Sequence, residues 1–596
     1  MRGLDPPAGP KPFGAAKARA FIVFARCCFE KGWLAGSSPA MTAGVRKPTG
    51  QQGHPLYQSG TKPSCAGPLR RQSGYKAGML RPLLTVSAGT LSSRLLGFVR
   101  DALVAALLGA GVVADAFLLA FQLVNVTRRL LTEGALNAAL VPAWLKVREH
   151  NGPAAAAAFA GRLLGSIALA TLLLAILLGV FMPLLIALLA PGFIGQPALL
   201  MATRDARLML PYLAFAGPVA VMMGLFNAQG KVGLTAFSPL LFNISLIVVT
   251  AVLLLGHNDP TLAALILSGT VGVAGLLQLS ILAVNGRGER LATPLRAGFD
   301  AAMRTFFAKA IPGMIANSGP QLLIVAGAII ASAQPAAVSW LYFANRLIEL
   351  PLGIVGVAMG AVLVPELARA VRGGDRTALS EAASRGLELA VGVALPATFG
   401  LIVLAEPIVR LLFEHGAFSA ADSAATAQAL AVLAVGLPAQ VLAKNWSAAF
   451  FAREDTRTPL VATLISVAVA LVAAVLLGRL FGAAGVAAAI SLGAWSNAAL
   501  LLGRGVQRFG VTIDAPARRR LVLIVLASLV MGALLWLAAG VVLPLMATGS
   551  TLVQGAALAV LIGGGLIVYA AVLMLSGVIR PDGVLRALRR PRGLRD

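Results

Sequence analysis

From Leu83 onward, long apolar runs alternate with short polar loops, and fourteen of the runs reach the length at which a helix crosses a bilayer. The first seven cores are Leu83 to Leu108, Val113 to Leu145, Phe159 to Leu189, Leu208 to Ala228, Phe237 to Leu255, Leu262 to Val284 and Phe306 to Ala331. The other seven are Ala337 to Ala368, Leu387 to Leu404, Ala424 to Phe451, Leu460 to Leu477, Gly485 to Leu502, Leu521 to Val542 and Leu552 to Leu575. The pattern predicts an all-α, polytopic membrane protein with fourteen transmembrane helices.

The second run breaks the apolar pattern, because it carries Asp115, Asn125, Arg128, Arg129 and Glu133. At a helical turn of 100° per residue, Asp115, Gln122, Arg129 and Glu133 fall in one narrow sector, with Asn125 at its margin and Arg128 well off it. At about 1.5 Å per residue this stripe is roughly 27 Å long, close to the thickness of the hydrocarbon core. An ionisable group there costs on the order of 2.5 to 3.5 kcal/mol, so such groups face a polar cavity or one another. Paired arginines on a cavity wall point to an anionic cargo. The alternative is that Arg129 and Glu133, at i and i+4, neutralise each other inside a helix bundle.

Charge in the loops orients the chain. Every second loop is basic: Lys146 and Arg148; Lys231; Arg287, Arg290, Arg296 and Arg304; Arg369, Arg372 and Arg376; Arg453 and Arg457; and Arg504 through Arg520. The intervening loops are nearly free of Lys and Arg, with Arg204, Arg207, Arg410 and Arg479 as exceptions. This is the positive-inside pattern, and it predicts that both termini are cytoplasmic. The composition of 58% hydrophobic and 12% charged residues excludes a set of soluble domains, so the net charge of +26 is no nucleic-acid footprint. Cys27, Cys28 and Cys65 all precede residue 79, and His150, His257 and His415 are scattered, so neither disulfides nor metal ligation is expected in the membrane body. Neither a Walker nor a Rossmann motif is present, and no cofactor is expected.

Residues 1–78 are polar and rich in Pro, Gly, Lys and Arg, and their one apolar run, Ala20 to Phe29, is too short to cross. Met79 is the expected functional start.

Sliding the second run forward by 223 positions lays Asp115–Pro142 on Val338–Pro365. Both end in A-x-x-A-x-L-V-P, and Phe117 meets Trp340. The repeat predicts a six-helix lobe over 79–290, a second over 300–510, two extra helices over 517–577 and a basic tail over 578–596, with the lobes rocking about a central site. Arg346 then lies at the depth of Leu123, about one and a half turns from Arg128 and Arg129, where a second cation reaches the same cargo. A static pair of Arg346 with Glu349, at a helix break near Pro351, is the competing expectation.

The run Ser93-Arg94-Leu95-Leu96-Gly97-Phe98-Val99-Arg100-Asp101, with Gly109-Ala110-Gly111 and Asp115-Ala116-Phe117, resembles the opening of the MurJ (MviN) lipid II flippase family. So do Asn125 through Glu133-Gly134-Ala135, Ala190-Pro191-Gly192-Phe193, Ala236-Phe237-Ser238-Pro239 with Asn243, Ser339-Trp340 through Arg346-Leu347, and Phe451-Ala452-Arg453 with Asp455-Thr456 and Thr458-Pro459. The resemblance spans about residues 79 to 577. It implies a fourteen-helix flippase, from the group that also holds multidrug and polysaccharide exporters. Such a protein moves the undecaprenyl-pyrophosphate-linked peptidoglycan precursor, lipid II, from the inner to the outer leaflet of the bacterial cytoplasmic membrane.

By the same resemblance Arg94, Arg100, Asp101, Asp115, Arg128, Arg129, Glu133 and Arg346 line or gate a central cavity, and the last two helices form a groove for the lipid tail. Lys444 matches a family lysine, either snorkelling or facing the cavity. Val124 stands where the family carries proline, and Asn345 where it carries an acid beside Arg346. Residue chemistry agrees: guanidinium forks bind phosphate oxygens bidentately and keep their charge. The candidate cargo ligands are therefore Arg94, Asn125, Arg128, Arg129 and Arg346, with Arg100, Asp101, Asp115, Glu133 and Glu349 as gating groups or charge partners.

Partners implied are lipid II, membrane lipids and a coupling ion. Membrane potential acting on the arginines, at about 2.3 kcal/mol per charge per 100 mV, is an equal candidate for the driving force. The alternatives are a drug or polysaccharide exporter, which the arginine-rich site disfavours, a polyprenyl-phosphate membrane enzyme, for which no cluster of catalytic acids or metal ligands is apparent, and a scaffold, which leaves the buried charge unexplained.

Two outcomes are expected. A chain beginning at Met79 complements depletion of the native protein as well as the full-length chain does. A topology reporter fused after Arg580 is active only on the cytoplasmic side; activity only on the outer side overturns the orientation.

Overall fold

The computed structural model describes residues 73–578 apart from 133–134, 257, most of 288–318, 355–375, 452, 454, 510–514 and 547–548. Among the described residues the regular structure is entirely helical. In chain order the helices are α1 (Ser73–Leu108), α2 (Val112–Thr132), α3 (Ala135–Val180), α4 (Met182–Leu189), α5 (Pro197–Ala228), α6 (Val232–Leu255), α7 (Pro260–Arg287) and α8 (Gly319–Ala331). Then come α9 (residues 337–354), α10 (Arg376–Val403), α11 (Ala405–Phe413), α12 (Ala420–Val435), α13 (Leu437–Phe451), α14 (Arg457–Phe509), α15 (Ala515–Met546) and α16 (Thr551–Leu575).

Among the described residues eight helices are long and apolar enough to cross a membrane, or nine if the bent pair α12 and α13 is one span. The count is smaller than fourteen partly because single helices hold two expected runs. α14 turns back at Gly482, where φ is 61°, and so carries both the eleventh and twelfth. α3 turns at Gly152, φ 83°: its first arm completes the second run and its second begins the third. Glycine takes this left-handed conformation without the Cβ penalty that other residues meet.

Proline marks two of the remaining breaks. The third run splits at Phe181, with Pro183 in the first turn of α4, and α13 begins one residue before Pro438 after a 43° bend. Proline's missing N–H is harmless in a first turn, where the amide has no helical partner. Pro351 behaves otherwise. The break expected near it does not occur, because α9 continues through Pro351 to residue 354. Nor does Val124 interrupt α2, which runs unbroken past it with the valine buried.

α1 packs along α6, α5 is sandwiched by α2, α3 and α7, and α14 holds α8, α12 and α13, while α15 lies against α10 and α16. Lipid gives helices no hydrophobic reason to associate, so close packing must supply the attraction. Gly275 shows how: a Cβ there would sit 2.6 Å from the Tyr212 ring. The outward faces remain apolar, as at Leu173, Ile176, Leu177 and Leu188 on α3 and α4 and Leu526, Leu537 and Val541 on α15, which suits contact with acyl chains.

The helices before residue 288 meet those after residue 318 at one end of the bundle, the end that carries loops 109–111, 190–196, 332–336 and 414–419. The Ala417 N–H donates to the Ala106 carbonyl at 2.8 Å, and the Gly192 N–H to Ser332 Oγ at 3.1 Å. Just inside this end Phe98, Phe343 and Phe418 surround Phe413, with ring centroids 5.1 to 6.1 Å apart. Gly416 makes the approach possible: its φ is +61°, and a Cβ would collide with the Ala106 carbonyl.

Gly195 supplies a control, with φ +78° and open space around it. Gly195→Ala is expected to cost only the left-handed backbone penalty, about 1–2 kcal/mol. Gly416→Ala adds a backbone collision and lowers the melting temperature of the detergent-purified protein further; equal shifts would show that the loops part without cost.

Candidate functional site

The polar residues of α1, α2 and α9 converge where the two halves meet. Arg94, Gly97 and Asp101 share one face of α1, as their spacing of three and seven residues requires, and Asp115, Gln122 and Arg129 share one face of α2. Both faces turn toward α9. Arg94 lies against Gly353, Asp101 contacts Arg346, Asp115 contacts Ser339, and Arg129 contacts Glu349.

The central feature is a chain of alternating charge. Arg100, only 7% exposed, donates through Nε and Nη2 to Asp101 Oδ1 at 2.9 and 2.7 Å, and through Nη1 to Asn243 Oδ1 at 3.0 Å. Its guanidinium also lies 4.9 Å from the Phe121 ring centroid. Asn243 is fixed in turn by donating to the Ser93 carbonyl.

Asp101, 2% exposed, takes Arg100 and the Tyr342 hydroxyl on Oδ1 and Arg346 Nε on Oδ2 at 2.7 Å. Arg346 Nη1 then reaches Glu349 Oε2 at 2.7 Å. Glu349 is held from the other half as well, by Arg129 Nη1 and Nη2 at 3.1 and 3.4 Å, a two-pronged contact.

Such pairs are the condition for keeping charge away from water, since a lone buried ion costs several kcal/mol. Among the described residues, arginines 94, 100, 128, 129 and 346 stand with carboxylates 101, 115 and 349 on these helices.

Asp115 stands nearer the loop end, 2% exposed, and its Oδ1 accepts from the Ser339 N–H at 2.8 Å and the Ser339 hydroxyl at 2.5 Å. A carboxylate of one half thus caps the first turn of a helix of the other, where free amides and the helix dipole favour negative charge. Next to it the Trp340 indole donates to Asp422, which forms a capping box with Ser419 at the start of α12.

Arg129 and Glu349 are therefore joined across the interface, and the expected Arg129 to Glu133 pair falls on Glu133, which lies outside the described residues. Arg346 does pair with Glu349, and the pair belongs to the larger chain rather than to a helix break. Arg100 looks inward, into the first half, among Asp101, Asn243 and Phe121. Arg128 Nε approaches Asn125 Oδ1 at 3.4 Å, and the Lys444 side chain is exposed on α13.

Tyr342, Ser339 and Asn243 are site residues that periodicity did not single out. A lone polar residue in an apolar run was the available signal for each. Among the described residues no three His, Cys, Asp or Glu side chains stand close enough to hold a metal ion.

Known proteins carry the same chain pattern. The family model for the lipid II flippase MurJ matches residues 104–557. A probable lipid II flippase MurJ of Rhizobium meliloti (strain 1021) is 38% identical over 517 residues, covering 86% of this chain and 96% of its own. One from Rhizobium tropici is 35% identical over 518 residues, covering 86% and 97%. In fold, the chain matches a solved lipid II flippase MurJ in an inward closed conformation with a TM-score of 0.65 at 23% identity, over 83% of this chain and 98% of that one. With the family model spanning most of its length and close relatives matched nearly end to end, this chain belongs to the MurJ lipid II flippase family.

Proposed function

We propose that the alternating charges of α1, α2 and α9 bind the pyrophosphate of lipid II and hand it from one side of the cytoplasmic membrane to the other. The protein is a multi-pass transporter that translocates lipid II, and it is not an enzyme. The observation that carries the binding reading is the Asp101–Arg346–Glu349–Arg129 chain, because it gathers guanidinium groups from both halves at one place.

The diphosphate diester of lipid II carries two negative charges, which suit guanidinium groups. Its oxygens replace carboxylate oxygens on Arg346 and Arg129, so loading exchanges one set of charge-assisted hydrogen bonds for another and never strips a guanidinium bare. Arg94 shares the α1 face with Asp101, and Asn125, at the margin of the α2 stripe, is approached by Arg128. Arg100, tied to Asn243, keeps Asp101 aimed at Arg346.

Alternating access follows from where the halves touch. With both termini cytoplasmic, the loop end sealed by Ala106 with Ala417, Gly192 with Ser332 and Asp115 with Ser339 is the outer end. The arrangement is then closed to the outside, the state in which cargo enters from the inner leaflet. Rocking residues 79–290 against 300–510 breaks those contacts and turns the same arginines outward. The helices over 517–577 would carry the lipid tail. A drug exporter of the same fold has no use for this site, since cationic drugs want acids or aromatics there.

Substitution separates a binding role from a structural one. Arg346→Ala is expected to reach the membrane at wild-type abundance and to lose flipping, measured by labelling of lipid II in the outer leaflet; Arg346→Lys keeps part of it, because the point charge survives and the fork does not. Glu349→Gln, which removes the competitor for two arginines and keeps a hydrogen-bonding group, should tighten lipid II binding about tenfold, worth about 1.4 kcal/mol, and slow release. Normal flipping by Arg346→Ala removes Arg346 from the site.

A further inference from the structure

The two arginines that face each other across α1 and α9 each rest on a glycine of the opposite helix. A Cβ built on Gly97 of α1 would lie 2.5 Å from Arg346 Nη2 and 3.8 Å from its Cζ. A Cβ built on Gly353 of α9 would collide with Arg94 Nη1 and lie 2.5 Å from its Cζ. We infer that Gly97 and Gly353 are positioning residues, reciprocal sockets that seat the Arg346 and Arg94 guanidinium groups on the facing backbone and so fix the register of the two halves.

The spacing fits a reciprocal device. Arg94 and Gly97 are three residues apart, about 4.5 Å along α1, whereas Arg346 and Gly353 are seven apart, about 10.5 Å along α9. α1 and α9 approach the sealed loop end from opposite chain directions, so a long side chain leaning toward its own helix N-terminus leans away from the other arginine. The leaning side chains take up the difference of about 6 Å. Seated this way, Arg346 presents Nε to Asp101 and Nη1 to Glu349. Displaced by a methyl group at Gly97, it keeps its charge and loses that geometry. Gly97 sits within α1, far from either end, where glycine costs about 0.5–1 kcal/mol relative to alanine. Something other than helix formation has to justify Gly97, and the Arg346 guanidinium supplies it.

The consequence for lipid II binding rests on the reading of Arg94 and Arg346 as cargo ligands; the socket itself does not, and a test without cargo keeps the two apart. The full-length protein, purified in detergent, is melted as wild type, Gly97→Ala, Arg346→Ala and the double variant, and likewise for Gly353 with Arg94. Gly97→Ala should lower the melting temperature by about 3 °C or more while Arg346 is present. In the Arg346→Ala background the same substitution should leave it unchanged or raise it, because alanine is the better helix former and nothing is left to strike. Gly353 should show a smaller effect of the same sign with Arg94, whose exposed guanidinium end can move aside.

A helix-packing role without sockets predicts a loss in both backgrounds, and that result, or no loss in either, overturns the inference. If Gly97→Ala does not accumulate, its membrane level is the readout instead: Arg346→Ala restores it if the socket is real and leaves it low if it is not. Loss of the reversal with intact dependence of flipping on Arg346 rejects the sockets alone, and the reversal without such dependence rejects the cargo reading alone.

Discussion

Two carboxylates hold the protein together at its centre, each shared between cations. Asp101 bonds Arg100 within the first half and Arg346 of the second, and Glu349 bonds Arg346 beside it and Arg129 across the interface. Each carboxylate keeps a second cation when one is removed, so the halves are joined by a network rather than by separable pairs. On the proposed reading, an incoming oxyanion would offer each guanidinium what it already has, so a strong interaction need not be a slow one.

The aromatic and backbone contacts at the loop end do a different job. Phe343, Phe413 and Phe418 pack without charge, and the Ala106 to Ala417 bond joins main-chain atoms. Their contacts involve no ion, so beside the Asp115 to Ser339 bonds this end is held by packing, whereas the centre is held by electrostatics. Asp115 links the two, because it caps α9 at the loop end and sits on the α2 face that carries Arg129. Movement of α9 is felt at both levels at once.

Much of this was legible in the chain. Bilayer thickness imposes a run length, so each of the fourteen expected runs contains helix among the described residues, and a turn of 100° per residue put Asp115 with Arg129 and Arg94 with Asp101 on shared faces. What escaped was long-range partnership and local breaks. Arg129 and Glu349 are 220 positions apart, and Glu133, one turn away, was the nearer partner by periodicity. The turns at Gly152 and Gly482 hide in the sequence because apolar residues continue on both sides. Pro351 misled in the opposite direction: it reads as a stop signal, yet α9 passes through it. Asn243 and Tyr342 matter through what other helices bring to them, which no single helix records.

The seal at the loop end has a mutational side. It is made of main-chain atoms and glycines, at Gly109 against Ala417, Gly192 against Ser332 and Gly416 against Ala106, with no space for even one added carbon. Tolerance to substitution is correspondingly low at these three glycines, because the atoms that a side chain would meet there are largely backbone and cannot rotate aside.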